Sequence, residues 1–200
     1  LVLTGLPRAF SAGVDVAAHV PEPQAIEAML AAMREVLTAL VDTPAVTIAS
    51  ISGACLGGGA EIVAACDLVL AAEDARIGFP EIRLACFPPG AAALLPGRIG
   101  EARAALWILT GITVSGREAA EAGFASRAVP GWRLDEETER LAARILSAAP
   151  AALASAREIL RLNRREALET RLPEAEEAYR RLAGNEDLAR AVREFGIRRQ

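Results

Sequence analysis

The stretch Val46-Thr47-Ile48-Ala49-Ser50-Ile51-Ser52-Gly53-Ala54-Cys55-Leu56-Gly57-Gly58-Gly59-Ala60-Glu61-Ile62-Val63-Ala64-Ala65-Cys66-Asp67-Leu68-Val69-Leu70-Ala71 sets the architecture. Residues 46–51 are a short run rich in β-branched side chains, which predicts a strand buried on both faces. A glycine turn follows, then a helix over 58–65 and a second strand over 67–71. Upstream, residues 1–4 read as a strand and residues 7–13 as a loop. Residues 24–40 read as a helix, with Ile26, Met29, Leu30, Met33, Val36, Leu37 and Leu40 on one face and Pro44 just past its end. This β-loop-α-β-loop-α-β order predicts an α/β layer with a largely parallel sheet. Beyond Pro89 helical patterns cover 91–99, 101–109 and 116–122. From 135 onward nearly everything is helical, and Pro150 and Pro173 read as helix starts. No internal repeat or low-complexity linker divides the chain, so one domain with a helical C-terminal extension is expected.

Composition narrows the chemistry. The chain has 200 residues, 22 basic and 26 acidic, for a net charge of −4. Mild acidity without a basic block argues against a nucleic-acid binder or a membrane-surface helix. No run approaches the ~18 apolar residues of a membrane span. Every basic residue is Arg. The absence of Lys removes Schiff-base chemistry, the P-loop lysine and any Lys general base. His19 is the only histidine, so a two-histidine metal site is excluded. It precedes Pro21 in a loop and reads as solvent-exposed. Cys55, Cys66 and Cys86 are odd in number and lack C-x-x-C spacing, which reads as buried free thiols in a reducing, cytoplasmic compartment. The chain opens on a buried strand without an initiator Met, so an upstream segment is expected.

Acid–base work therefore falls on carboxylates and backbone groups. The turn Phe10-Ser11-Ala12-Gly13-Val14-Asp15 reads either as a helix opening whose free N–H groups face an anionic oxygen or as a tight connection capped by Asp15. The turn ending in Gly57-Gly58-Gly59 matches neither nucleotide-binding glycine motif. It reads either as an oxyanion pocket at Gly58 or as close helix–strand packing. Glu61 sits on the first turn of the helix these glycines open, where the dipole favours an ionised carboxylate. Glu81 follows Phe79-Pro80 in another loop. Two glutamates after parallel strands can converge on one cleft and polarise one water; alternatively each caps a helix or faces solvent. Asp67 reads as structural and Tyr179 as packing. Arg161, Arg164, Arg165, Arg180 and Arg181 read as solvated faces with Glu partners at helical spacing.

Four motifs in order carry a resemblance. Phe10-Ser11-Ala12-Gly13-Val14-Asp15-Val16, Gly53 to Glu61, Cys66-Asp67-Leu68 and Gly78-Phe79-Pro80-Glu81, followed by Leu109-Thr110-Gly111 with Ala119-Ala120 and Ala122-Gly123, resemble the enoyl-CoA hydratase/isomerase (crotonase) superfamily. The resemblance implies a spiral of ββα units over 1–131 and a C-terminal helical trimerisation region over 132–200. It implies assembly as trimers or dimers of trimers, and it implies an acyl-CoA substrate. Coenzyme A would be part of that substrate, with no metal or redox cofactor, no nucleic acid and no membrane partner. It assigns Glu61 and Glu81 to catalysis, and the backbone N–H groups of Val14 and Gly58 to the thioester oxygen. Ala12, Asp15, Gly57, Phe195 and Arg198 fall at substrate- or CoA-binding positions. Both glutamates together imply water addition to an α,β-unsaturated thioester; an isomerase, a hydrolase and a non-catalytic RNA-binding homologue are the alternatives. Phe87-Pro88-Pro89-Gly90-Ala91-Ala92-Ala93-Leu94-Leu95-Pro96 stands where many members have P-G-x-G-G-T-Q-R. With Gly53 to Gly59 it resembles the cyclohexa-1,5-diene-1-carbonyl-CoA hydratase branch. The family's N-terminal segment has no counterpart here.

Overall fold

Three ββα turns build the core. The computed structural model describes residues 1–6, 8–14, 22–182 and 185–197. β1 (Val2–Thr4) and β2 (Ala9–Ser11) lead to α1 (Pro23–Asp42). β3 (Ile48–Ile51) and β4 (Ala54–Leu56) lead to α2 (Gly58–Ala65). β5 (Leu68–Ala72) and β6 (Arg76–Gly78) lead through a 3-10 turn (Pro80–Leu84) to α3 (Pro89–Ile99). Each turn adds one strand to each of two sheets. The first sheet, β1-β3-β5-β8, is parallel and closes with β8 (Arg127–Val129). The second, β2-β4-β6-β7, is parallel up to β7 (Thr113–Ser115), which runs antiparallel to β6. The rest is helical: α4 (Glu101–Thr110), α5 (Gly116–Glu121), α6 (Leu134–Leu146), α7 (Pro150–Leu160), α8 (Leu162–Arg180) and α9 (Glu186–Ile197). Among the described residues no helix is long and apolar enough to cross a membrane.

The strand expected over 46–51 is present but shorter, as β3 (Ile48–Ile51), and the helix expected over 58–65 is α2. The four residues of β3 are all buried, as an interior strand covered on both faces requires. What reads as a single sheet is two, because the loop over 7–13 contains β2 and the glycine turn contains β4. Both are three-residue strands, too short to show an alternating pattern. Gly53 makes the corner between the sheets. Its φ is +63°, and a Cβ there would lie 2.1 Å from the Arg8 carbonyl oxygen.

Pro150 opens α7, but Pro173 does not open a helix; it lies inside α8. Pro173 and Glu169, whose carbonyl it leaves unpaired, are both exposed, so water can take the freed oxygen. The buried stripe Ala167, Leu168, Leu172, Glu176 and Tyr179 holds the helix on either side. The arginine clusters form tertiary contacts as well as helical ones. Asp67 accepts from the Thr47 amide at 2.8 Å and from Arg157 Nε at 2.7 Å, and pairs with Arg164. Arg157 also donates to Thr43 and Leu40 carbonyls at the end of α1. Arg165 reaches Asp42, and Arg180 reaches Glu27. Glu176 and Glu177 partner Arg180, and Glu177 partners Arg181, at the expected spacing. Asp67 is thus structural: it ties α7 and α8 to the strands. The three cysteines are free and buried.

Candidate active site

The three consecutive glycines each meet a different neighbour. At Gly57, with φ +55°, a Cβ would lie 2.7 Å from Glu81 Oε1. At Gly58 it would lie 2.9 Å from Met33 Cε and 3.7 Å from the Val14 nitrogen. At Gly59 it would lie 2.4 Å from Ser11 Cβ. The close packing expected as one alternative for this turn is present at Gly59. Gly59 is close helix–strand packing, whereas Gly57 and Gly58 keep backbone open beside a carboxylate and beside Val14. Gly58 is the first residue of α2, so its N–H has no intrahelical partner.

Glu61 is carried inward by the first turn of α2 and is 4% exposed. Its Oε1 accepts the Ala91 N–H at 3.0 Å, and the Gly90 N–H also donates to the carboxylate. Both donors belong to the first turn of α3. The Pro88-Pro89-Gly90-Ala91 stretch is thus the cradle of Glu61, and a Cβ on Gly90 would lie 3.0 Å from that oxygen. Burial opposes the ionisation of Glu61 that the helix dipole favours. Burial pushes its pKa up to about 7, with the two amides pulling the other way. At this depth desolvation outweighs the helix dipole.

Glu81 sits on the 3-10 turn after β6. The turn is anchored by Phe79, which is fully buried and edge-on to Phe124 with centroids 6.3 Å apart. Burial, and then the Glu61 charge, push the Glu81 carboxyl up to about 8. Its Oε2 is buried and has no hydrogen-bond partner among the described residues. Both glutamates line one cavity of about 490 Å³, together with Ala12, Val14, Gly57 and Gly58.

The structure thus gathers six of the residues singled out from the sequence. Asp15, His19 and Arg198 lie outside the described residues. Phe195 lies on α9, and its side chain is outside them too. Sequence reading assigned Tyr179 to packing. It is buried, but it also lines the cavity, as do Phe87 and Cys86. Nothing in the linear sequence brings a residue of α8 to the loops after β4 and β6. Its being the only tyrosine is the single signal.

A ββα spiral with two carboxylates converging on glycine backbone is the architecture expected of the crotonase superfamily. The chain belongs to the enoyl-CoA hydratase/isomerase family, whose model matches residues 1–200. It is 39% identical over 115 residues to a cyclohexa-1,5-dienecarbonyl-CoA hydratase from Thauera aromatica, a match covering 58% of this chain and 44% of that enzyme. It is 32% identical over 196 residues to a 2,3-dehydroadipyl-CoA hydratase from Escherichia coli, covering 97% of this chain and 76% of that enzyme. An enoyl-CoA hydratase/isomerase from Mycobacterium paratuberculosis superposes with a TM-score of 0.88 at 25% identity, covering 96% of this chain and 78% of that one.

Proposed function

We propose that the protein is an acyl-CoA hydratase that adds water across the double bond of an α,β-unsaturated CoA thioester. The observation that carries this reading is the convergence of two carboxylates, Glu61 buried and Glu81 half-buried, in one cavity beside the Val14 and Gly58 backbone, where burial pushes both pKa values up. Water addition needs a base for the water, an acid for the α-carbon and donors for an enolate oxygen. Two coupled carboxyls titrating at about 7 and about 8 share one proton near neutral pH. Glu61, with its two amide donors, holds the charge; Glu81, with none found for Oε2, holds the proton.

Glu61 then takes a proton from water, and the hydroxyl oxygen bonds to the β-carbon. The π electrons move toward the thioester oxygen, where the Val14 and Gly58 N–H groups stabilise the enolate. One such donor is worth about 3–4 kcal/mol of barrier. The enolate collapses by taking the Glu81 proton at the α-carbon. Return of a proton from Glu61 to Glu81 restores the starting state. The likeness to a cyclohexadienecarbonyl-CoA hydratase, with the Phe87–Pro96 stretch, supports a cyclic dienoyl thioester as the acyl group.

The test is product analysis in 18O-labelled water with crotonyl-CoA and cyclohexa-1,5-diene-1-carbonyl-CoA. One 18O atom in a hydroxyacyl-CoA product is expected. A shifted double bond without label would instead show isomerisation, and free CoA would show hydrolysis.

A further inference from the structure

The cavity that holds the two glutamates is lined unevenly. Ala12, Val14, Arg83 and Glu194 line it and are exposed, so it opens to solvent on their side. Apart from Glu61 and the glycines, its buried lining is Cys86, Pro88, Pro89 and Tyr179, so it closes on theirs. A second, smaller apolar cluster, separate from the main core, backs the closed end. Its buried members are Ile26 and Leu30 of α1, Cys86, Tyr179 of α8 and Leu188 of α9. Met29, Leu84 and Phe87 pack on this cluster, and all three also line the cavity while only half-buried. They leave apolar surface uncovered at the cavity wall, which an apolar group of a ligand would cover.

We propose that Met29, Leu84 and Phe87 form the acyl pocket and that Phe87 sets its depth, so that the site takes thioesters of compact acyl groups, a short chain or a single ring, and rejects long linear chains. The proposal rests on the hydration reading for its substrate. Coenzyme A carries phosphates, and a charge left unpaired against an apolar wall is costly. The coenzyme therefore takes the open side, with Arg83 and Glu194. A thioester oxygen at Val14 and Gly58 then directs the acyl group inward, past Glu61 and Glu81, to the closed end. The three wall residues differ in stiffness. Met29 is unbranched and adapts its shape. Leu84 ends a 3-10 turn, whose hydrogen bonds are poorer than those of an α-helix. Phe87 is held on two sides. Its ring packs on the Tyr179 ring with centroids 5.7 Å apart at 55°. Pro88 and Pro89 follow it directly and restrict its backbone. An acyl chain longer than the pocket thus meets a wall that does not yield.

The test measures kcat/KM of the parent, Phe87→Leu and Phe87→Ala on crotonyl-CoA, trans-2-decenoyl-CoA and cyclohexa-1,5-diene-1-carbonyl-CoA. Calorimetric titration with butyryl-CoA, decanoyl-CoA and cyclohexanecarbonyl-CoA runs beside it, since these have no double bond to hydrate. In the parent, the better compact substrate is expected to exceed decenoyl-CoA by about 100-fold or more, because a single methylene that does not fit is worth about 10–200-fold. Decanoyl-CoA is expected to bind no more tightly than the better compact thioester, although its chain offers more apolar surface. Phe87→Ala is expected to raise the ratio of decenoyl-CoA to crotonyl-CoA turnover about tenfold or more, and Phe87→Leu to raise it less. Phe87→Leu keeps an apolar side chain in the cluster and serves if Phe87→Ala folds poorly; if neither folds, the preference of the parent decides. A parent that turns over decenoyl-CoA within about threefold of the compact substrates overturns the proposal. So do decanoyl-CoA binding about tenfold tighter than both compact thioesters, and folded Phe87 variants with the parental ratio. If the saturated thioesters bind in the expected order and no hydroxyacyl-CoA forms, the hydration reading falls and the pocket stands.

Discussion

Glu61 and Glu81 stand where burial opposes charge, and this has a consequence for stability as well as for catalysis. In an unfolded chain both carboxyls ionise near 4.5; in the fold they do so at about 7 and about 8. Between these values the native state binds more protons than the unfolded state. Their contribution to stability is therefore present below pH 4.5 and lost as pH rises through 7 to 8. Glu81→Gln removes the penalty and is expected to unfold at higher urea than the parent at pH 8, by about 1–2 kcal/mol. The difference should vanish near pH 4; equal stability at both pH values would contradict it. Gly57→Ala tests the close approach from the other side. Its Cβ would sit 2.7 Å from Glu81 Oε1 at a φ of +55°, so a loss of hydration of roughly tenfold or more is expected, with about 1 kcal/mol of stability. The residue types of this site were legible in the sequence. Its protonation was not, because the dipole argument for Glu61 is local and desolvation depends on the α3 cradle thirty residues away.

Among the elements, long periodic ones were readable and short ones were not. α1 shows its buried face directly in the spacing of Ile26, Leu30 and Leu37, and Pro23 and Pro44 bracket it. β2 and β4 were hidden inside apparent loops, since three residues cannot display a period. Their glycines are the trace they leave. Gly59 lets α2 lie against Ser11 of β2, and Gly59→Ala would place a Cβ 2.4 Å from Ser11 Cβ. Overpacking of this kind typically costs about 1–3 kcal/mol. A melting temperature unchanged from the parent would show that the two elements can part freely. Pro173 misled in the opposite direction: proline disfavours a helix interior, yet tertiary packing of α8 overrides that preference where the orphaned carbonyl faces solvent.

At the scale of the whole molecule, one carboxylate joins the C-terminal helices to the strands. Burial alone would raise the Asp67 carboxyl, but the Thr47 amide, Arg157 and Arg164 hold it below its ordinary range. The sign is opposite to that of the active-site pair. This stability is present above about pH 3.8 and lost as pH falls through the lowered value. Asp67→Ala leaves Arg157 buried without its carboxylate and is expected to cost about 3–5 kcal/mol, measured by urea unfolding at neutral pH. A further expectation concerns assembly. Leu146, Ile159 and Leu160 on α6 and α7 are 83%, 67% and 76% exposed, apolar side chains that a second copy of the chain would cover if it docks there. Light scattering should give a trimer or its multiple for the parent, and a smaller species for Leu160→Arg; a monomeric parent would contradict the assembly. The tertiary partners of Arg157 and Arg164 could not be read from the sequence, because 97 residues separate Arg164 from Asp67.

The central claim is that Glu61 and Glu81 act together on one water. Its most direct measurement is the rate of loss of enoyl-thioester absorbance from crotonyl-CoA and cyclohexa-1,5-diene-1-carbonyl-CoA with the parent, Glu61→Gln and Glu81→Gln. The account predicts hydration of at least one thioester by the parent, and a fall of at least about 100-fold in each folded variant. A parental rate in either variant would contradict it.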